Sequence, residues 1–316
     1  MTLLKGFSQV GDSTITNHIR ENLVSFFDYG LMEKDGIVNV HIPTSGIYGG
    51  LDHRLRPVND ERYPAGKVWQ ASRSNWVWES GLNALVSSNP SYPGVSGVYV
   101  NSVFYPSSGT GINSHYINHY LGQVVFNTPI STGSIVECDY SYKYVNVQKV
   151  DGLSWFEQIQ KNSTRSDSDG FIKSSGEYAF LAENRVQLPT IGIEASRRKL
   201  SPFQLGGGQI VYTDFYFHCL AEDGYIRDHL VDIISLQKEV VFEGYDIDLI
   251  STASAFPIDY RGVPVSGAKV YPDLVRDYKG SQIRIKDCSF DSVYSLTPDV
   301  HIGTVKMTTE CILFGV

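Results

Sequence analysis

QIVYTDFYFHCL (209–220), followed after four residues by YIRDHLVDIISLQK (225–238), decides how this chain folds. The first stretch carries an apolar or aromatic residue at nearly every second position, the period of a strand. The second places Ile226, Leu230, Ile233, Ile234 and Gln237 in helical phase. A long strand running straight into an amphipathic helix predicts a helix laid on an antiparallel sheet. Outward from this pair, Arg185–Glu194 reads as a preceding strand. It is joined to the next by a loop holding Pro202 and the run Gly206-Gly207-Gly208. Residues 240–242 and 247–250 read as extended, and 251–280 as a loop interrupted by Pro and Gly. Three further strands are expected at 281–285, 300–309 and 311–314. Leu153, Phe156 and Ile159 suggest a short helix, and NSTRSDSDG (162–170) an exposed loop.

The first half has a different texture. Ile15, Ile19, Leu23, Phe26 and Phe27 recur at helical spacing behind Ser13 or Thr14 as N-cap, with Gly30 as the expected stop. After a strand at 36–42, residues 43–66 are rich in turn formers. From Lys67 onward come many short strands. Val95–Tyr105 alternates around an Asn101-Ser102 turn, and Tyr140, Tyr142 and Tyr144 share one strand face. Short strands with turns at this spacing predict a β-sandwich. The expected class is therefore β-rich α+β in three parts. These are an N-terminal helix and arm (1–32), a β-sandwich (33–150), and an α+β domain with one main helix (151–316). The first helix could also pack on the α+β domain, which would make the sandwich an insertion.

Composition narrows the function. The chain has 316 residues, enough for a core without staples. Only 19% of residues are charged while 20 are Tyr, so much of the surface is polar and uncharged. The net charge of −8 is concentrated after residue 150. With no basic stripe, a groove-reading nucleic-acid binder is unexpected. Cys138, Cys219, Cys288 and Cys311 form no C-x-x-C pair, and neither a disulfide framework nor a zinc site is supported. The absence of a long apolar run predicts no membrane span, and the N-terminus lacks the apolar core of a signal peptide.

Candidate chemistry is weak. His115 and His119 lack the intervening Glu of a metalloprotease helix and read as polar surface or stacked core. Asp167, Asp169 and Gly170 have the wrong spacing for a calcium loop. The triple glycine precedes a strand rather than a helix, with no Lys-Ser/Thr behind it, so it reads as a tight turn or a close contact with a neighbouring chain. Asp246 and Asp248 alternate with Ile247 and Leu249 and should both face solvent; glycosidase chemistry on them is the enzyme reading. No cofactor is expected.

Two sets of segments carry a resemblance. VSGVYVNSVFYP (95–106), continued by HYINHYLGQVVFNTPISTGSIVECDYSYKY (115–144), resembles a β module common in tailed-phage virion proteins. LPTIGIE (188–194), PFQLGGG (202–208), YTDFYFHCLAE (212–222) and RDHLVDIISLQ (227–237) resemble the neck and tail-terminator proteins that cap tail tubes as rings. The resemblance implies a structural subunit of a homo-oligomeric ring, hexameric or dodecameric, at the head–tail junction of a virion assembled in the host cytoplasm. It implies portal, adaptor or other neck proteins above, tail tube or sheath proteins below, and DNA only as passing cargo. Pro202, Phe203, Gln204, Gly206, Gly207, Gly208, Tyr225 and Arg227 are the residues expected at subunit or partner interfaces. The rival is a fibre or baseplate protein that stacks host carbohydrate on Trp69, Trp76 and Trp78, although Trp76 and Trp78 on one strand face also suit a core.

Overall fold

The structure is a computed structural model. It describes residues 13–42, 53–58, 61–79, 95–152, 155, 159–160, 186–203, 208–298 and 300–313. Helix α1 (Ile15–Glu33) starts where the Thr14 hydroxyl accepts the Asn17 N–H at 3.1 Å. It buries Ile19, Leu23 and Phe27, three of the five residues of the predicted stripe. Gly30 does not end it. A glycine inside a helix costs only about 1 kcal/mol, and the extra turn buries Met32 before the chain reverses at Asp35, φ 70°.

Short antiparallel strands follow: β1 (Ile37–Val40), β2 (Arg54–Pro57), β3 (Val68–Gln70), β4 (Gly97–Val100), β5 (Val103–Pro106), β6 (His115–Asn118), β7 (Gln123–Phe126), β8 (Val136–Glu137) and β9 (Tyr140–Lys143). Seven of them form one sheet in the order β5-β4-β8-β2-β3-β7-β6, and β1 pairs with β9 as a separate ribbon. Asn101 and Ser102 make the two-residue turn between β4 and β5, both at positive φ as a hairpin of matching twist requires. Sheet and ribbon enclose a core of Leu55, Trp69, Trp76, Val98, Val124, Phe126, Cys138 and Tyr140. The Trp76 indole stacks on Tyr140 with centroids 4.4 Å apart and donates to the Arg73 carbonyl at 2.9 Å. Gly122, at φ +62°, lets the β7 turn close over Arg73: a Cβ there would lie 2.2 Å from the Arg73 carbonyl oxygen.

The second unit is built on long strands. It comprises β10 (Asn146–Lys149), the small pair β11 (Ile159–Gln160) and β12 (Val186–Gln187), β13 (Thr190–Pro202), β14 (Gln209–Ala221), α2 (Gly224–Ser235), β15 (Val241–Tyr245), α3 (Ile247–Thr252), α4 (Asp273–Asp277), β16 (Lys279–Thr297) and β17 (Val300–Leu313). Its six-stranded sheet runs β10-β13-β14-β17-β16-β15, antiparallel except where β10 meets β13. Helices α1 and α2 both lie on one face. There Ile19, Leu23 and Phe27 join Leu230, Val231 and Ile234 over Phe215, Phe217, Cys219, Val305 and Met307. Gly303 allows α2 this close, since a Cβ there would sit 2.5 Å from Val231. A smaller core of Leu188, Leu220, Ile302 and Trp155 covers part of the opposite face. The class is thus a β-rich α+β protein. The N-terminal helix rests on the sheet of the second unit, the arrangement the sequence left open.

Several local expectations change. Residues 247–250 are helical, not extended, because the Asp246 carboxylate caps the N–H groups of Asp248 and Leu249. The segment 251–280 contains α4, which buries Leu274 and Val275. Ile159 is in a strand paired with β12 rather than in a helix; Leu153 and Phe156 lie outside the described residues, as does 162–170. The strand expected to stop at Glu194 continues to Pro202, and the one expected to stop at Ile285 continues to Thr297.

These extensions leave the sheet open on both sides. Strand β10 covers β13 only from Thr190 to Ile193. On the other side, β15 and the two residues before it cover β16 only from Lys279 to Ile285. Among the described residues, no strand pairs with the outer side of 194–202 or of 286–297.

Candidate functional site

The two units meet through a buried polar clamp. Segment 72–75, which follows β3, faces Asn146 and Gln187 of the long-strand unit. The Gln187 amide oxygen accepts from the Ser74 N–H at 2.8 Å and its hydroxyl at 2.9 Å, while the Gln187 NH₂ donates to the Ser72 carbonyl at 2.7 Å. Asn146 donates to the Gln187 carbonyl at 2.8 Å, and Arg73 to the Leu188 carbonyl at 3.3 Å. Such satisfied networks hold one relative geometry, because every alternative strands a buried polar group.

Beside the clamp lies a cleft of ≈ 340 Å³ lined from both units, with Tyr29, Trp78, Tyr120, Tyr245 and Tyr271 among its walls. Its charged centre is Lys143 at the end of β9. The ammonium donates to Asp28 of α1 and to Glu79, each at 2.6 Å, and all three side chains are largely buried. Burial works against the charge of Lys143, but Asp28 and Glu79 outweigh it and hold the ammonium above the ordinary lysine range. Burial pushes the Asp28 carboxyl up, with Lys143 pulling it down and Glu79 adding to the rise. Burial likewise lifts Tyr245 and Tyr271 to about 12. A lysine held protonated between two carboxylates is not a nucleophile. This trio fastens α1 to the short-strand unit. It drew no notice in sequence because its members stand at 28, 79 and 143; the one visible sign was a lysine inside a tyrosine-rich strand.

The sequence-predicted interface residues fall into two groups. Pro202, Phe203 and Gly208 lie together at the tip of the β13–β14 hairpin, where the Phe203 N–H donates to the Gly208 carbonyl at 3.2 Å. Gly208 takes φ +87°, and the Phe203 side chain is exposed. Gln204, Gly206 and Gly207 lie outside the described residues. Tyr225 and Arg227 sit in the first turn of α2, at the far end of β14. That separates them from the tip by about 40 Å for a strand of this length. Tyr225 is 80% exposed, whereas Arg227 lies flat over Gly303 with its guanidinium on Asp228 at 2.8 Å. The structure therefore does not bring the two groups together within one chain.

Other candidates are occupied by structural work. His115 and His119 are both buried, bonded through Nδ1 to the carbonyls of Asn113 and Gly262. Asp246 caps α3, and Asp248 accepts from the Ser13 N–H and contacts His18 Nε2 at 3.3 Å. The ligating atoms of His18, Asp246 and Asp248 lie within 4.8 Å of one another, but these bonds already account for them. Cys138 and Cys219 are buried, and burial raises both thiols, Cys219 to about 12. Of the tryptophans offered for carbohydrate stacking, Trp69 and Trp76 are inside the core; Trp76 and Trp78 both border the cleft, Trp76 with almost no exposed surface. No helix among the described residues is long and apolar enough to cross a membrane.

What the described surface does offer is apolar side chains along the uncovered halves of the long strands. Phe290 is 56% exposed and Tyr294 47%, with Val293 and Leu296 beside them on β16; Leu200 is 47% exposed on β13. In a comparison with models of known protein families and with curated proteins, the chain matched none.

Proposed function

We propose that this protein is a self-assembling structural subunit, forming a homo-oligomeric ring in the neck or tail terminator of a tailed-phage virion and joining the capsid connector to the tail. In this reading the short-strand unit is a sandwich module that contacts neighbouring proteins, and the long-strand unit is the ring-forming domain. The observation that carries the self-assembly is the sheet with two uncovered edges. Free strand edges flanked by exposed apolar side chains are a liability for a monomer and a ready means of pairing for a subunit. The position in a virion rests on the resemblance of segments 95–144 and 188–237 to neck and tail-completion proteins. The clamp and the buried Lys143 trio support a rigid building block, which suits a part whose task is mechanical continuity.

The purified chain is expected to run as a closed six- or twelve-fold particle by native mass spectrometry. Electron micrographs of the parent particle, with this protein labelled, are expected to place the label at the head–tail junction. A trimer, or a label at fibre tips, would overturn the reading in favour of a receptor-binding fibre.

A further inference from the structure

We propose that the ring is closed by one specific contact, in which the uncovered half of β13 on one copy pairs antiparallel with the uncovered half of β16 on the next. The proposal rests on the ring reading and names its interface. The two edges are chemically unlike each other. The β13 edge exposes Arg197, Arg198 and Lys199 before Leu200. The β16 edge exposes Asp291 beside Phe290, while Asp287 and its neighbour Lys286 are already ion-paired within the chain, with Lys238 and Glu310. A contact between unlike edges is heterologous, the kind that generates rings, whereas an edge pairing with itself would stop at a two-fold dimer.

Strand direction and register agree with this. Going from β13 through β14 and β17 to β16, every step is antiparallel, so the two edge strands run in opposite directions. A neighbour related by rotation can then extend the antiparallel ladder. Glu194, Tyr216, Lys306 and Ser289 lie on one level of the sheet. The open half of β13 lies on one side of that level and most of the open half of β16 on the other. Bringing them abreast slides one copy along the strands by about six residues, roughly 20 Å. Four strands span about 19 Å across, so this slide corresponds to a strand tilt of about 45°, at the upper end of the range found where sheets close on themselves. At that slide Leu200 comes opposite Phe290, and Lys199 opposite the bulge at Asp291. Apolar meets apolar and basic meets acidic in the same register.

The test uses two full-length variants, each with one edge reversed in charge: Arg198→Glu with Lys199→Glu, and Asp291→Arg. Each alone is expected to lose ring formation, with self-association at least tenfold weaker in sedimentation velocity. An equimolar mixture is expected to restore rings in which the two variants alternate, because the intact acidic edge of the first meets the intact basic edge of the second and the two reversed edges are again opposite in charge. Recovery on mixing also establishes that both variants are folded. The pairing is overturned if either variant still forms wild-type rings, or if the mixture stays monomeric. It is equally overturned if only Asp291→Arg dissociates, which would indicate β16 pairing with itself. In all of these the wild-type ring stands; a wild-type chain that stays monomeric defeats the ring reading, and this pairing with it.

Discussion

The short-strand unit and the long-strand unit spend their sequence differently. In the first, no strand exceeds four residues, and stability comes from large side chains turned inward: Trp69, Trp76, Phe126 and Tyr140 are each almost wholly buried. In the second, strands of 13 to 19 residues make long ladders, with helices over one face and two edge segments bare. One unit is finished by its interior. The other is incomplete at its rim, and that contrast separates residues that hold the protein together from residues that face another molecule.

The contrast breaks most visibly at Trp76. Truncation to Ala removes a fully buried indole, its stack on Tyr140 and its hydrogen bond to Arg73. The expected loss is about 3–5 kcal/mol, the usual range for an aromatic-to-alanine change in a core, read as a lowered denaturant midpoint. A loss below about 1 kcal/mol would mean that the short-strand unit does not depend on its interior as described.

The same contrast explains which parts of the fold were legible in the sequence. Where one face of an element is buried, the periodicity is present. The stripe of α1, the Asn101-Ser102 hairpin and the alternation of β14 could all be read from residue types. Where both faces are exposed, nothing alternates: ASRRKLSP (195–202) and the stretch 286–297 gave no strand signal, and bulges at Ala195/Arg197, Ile285/Asp287, Phe290/Ser292 and Ser295/Thr297 shift the phase further. Asp246 misled for another reason. Its alternation with Asp248 imitates a strand, while its carboxylate starts a helix. Glycine and proline mark the hairpin tip in the sequence, whereas the open flanks of the strands beside it carry no comparable mark. The Lys143 trio is assembled by topology alone, from residues remote in sequence.

A milder perturbation, acid, should act on the short-strand unit through its buried histidines. Burial lowers both His115 and His119 from the usual 6.5, despite hydrogen bonds to backbone carbonyls that favour the charged form. A histidine whose folded pKa is depressed contributes stability above its unfolded pKa and loses it as the pH falls through the folded value. The window therefore opens near pH 6.5 and continues downward. His115 Nε2 is buried without a hydrogen-bond partner among the described residues, so protonation would place an N–H there with nothing to receive it. The thermal midpoint is expected to fall between pH 7 and pH 5, and His119→Gln to reduce that fall while retaining a donor for the Gly262 carbonyl. An unchanged pH dependence in the variant would assign the acid sensitivity to carboxylates instead.

The smallest effect on stability should come from Phe290, which is as large and apolar as the core residues but sits on the open rim. Its ring is more than half exposed and pairs across the ladder with Val305, so its outer side contributes little to the isolated chain. Phe290→Ser is expected to change the unfolding free energy by no more than about 0.5 kcal/mol, as for surface changes generally. If Phe290 faces a neighbouring copy, the same substitution should weaken self-association markedly, since a large side chain buried at an interface contributes far more than one left in water. Trp76→Ala and Phe290→Ser thus form a matched pair, the first lowering stability in the monomer and the second lowering assembly at unchanged stability. A Phe290→Ser chain that unfolded as readily as Trp76→Ala would erase the distinction, because the edge of β16 would then belong to the interior of the subunit.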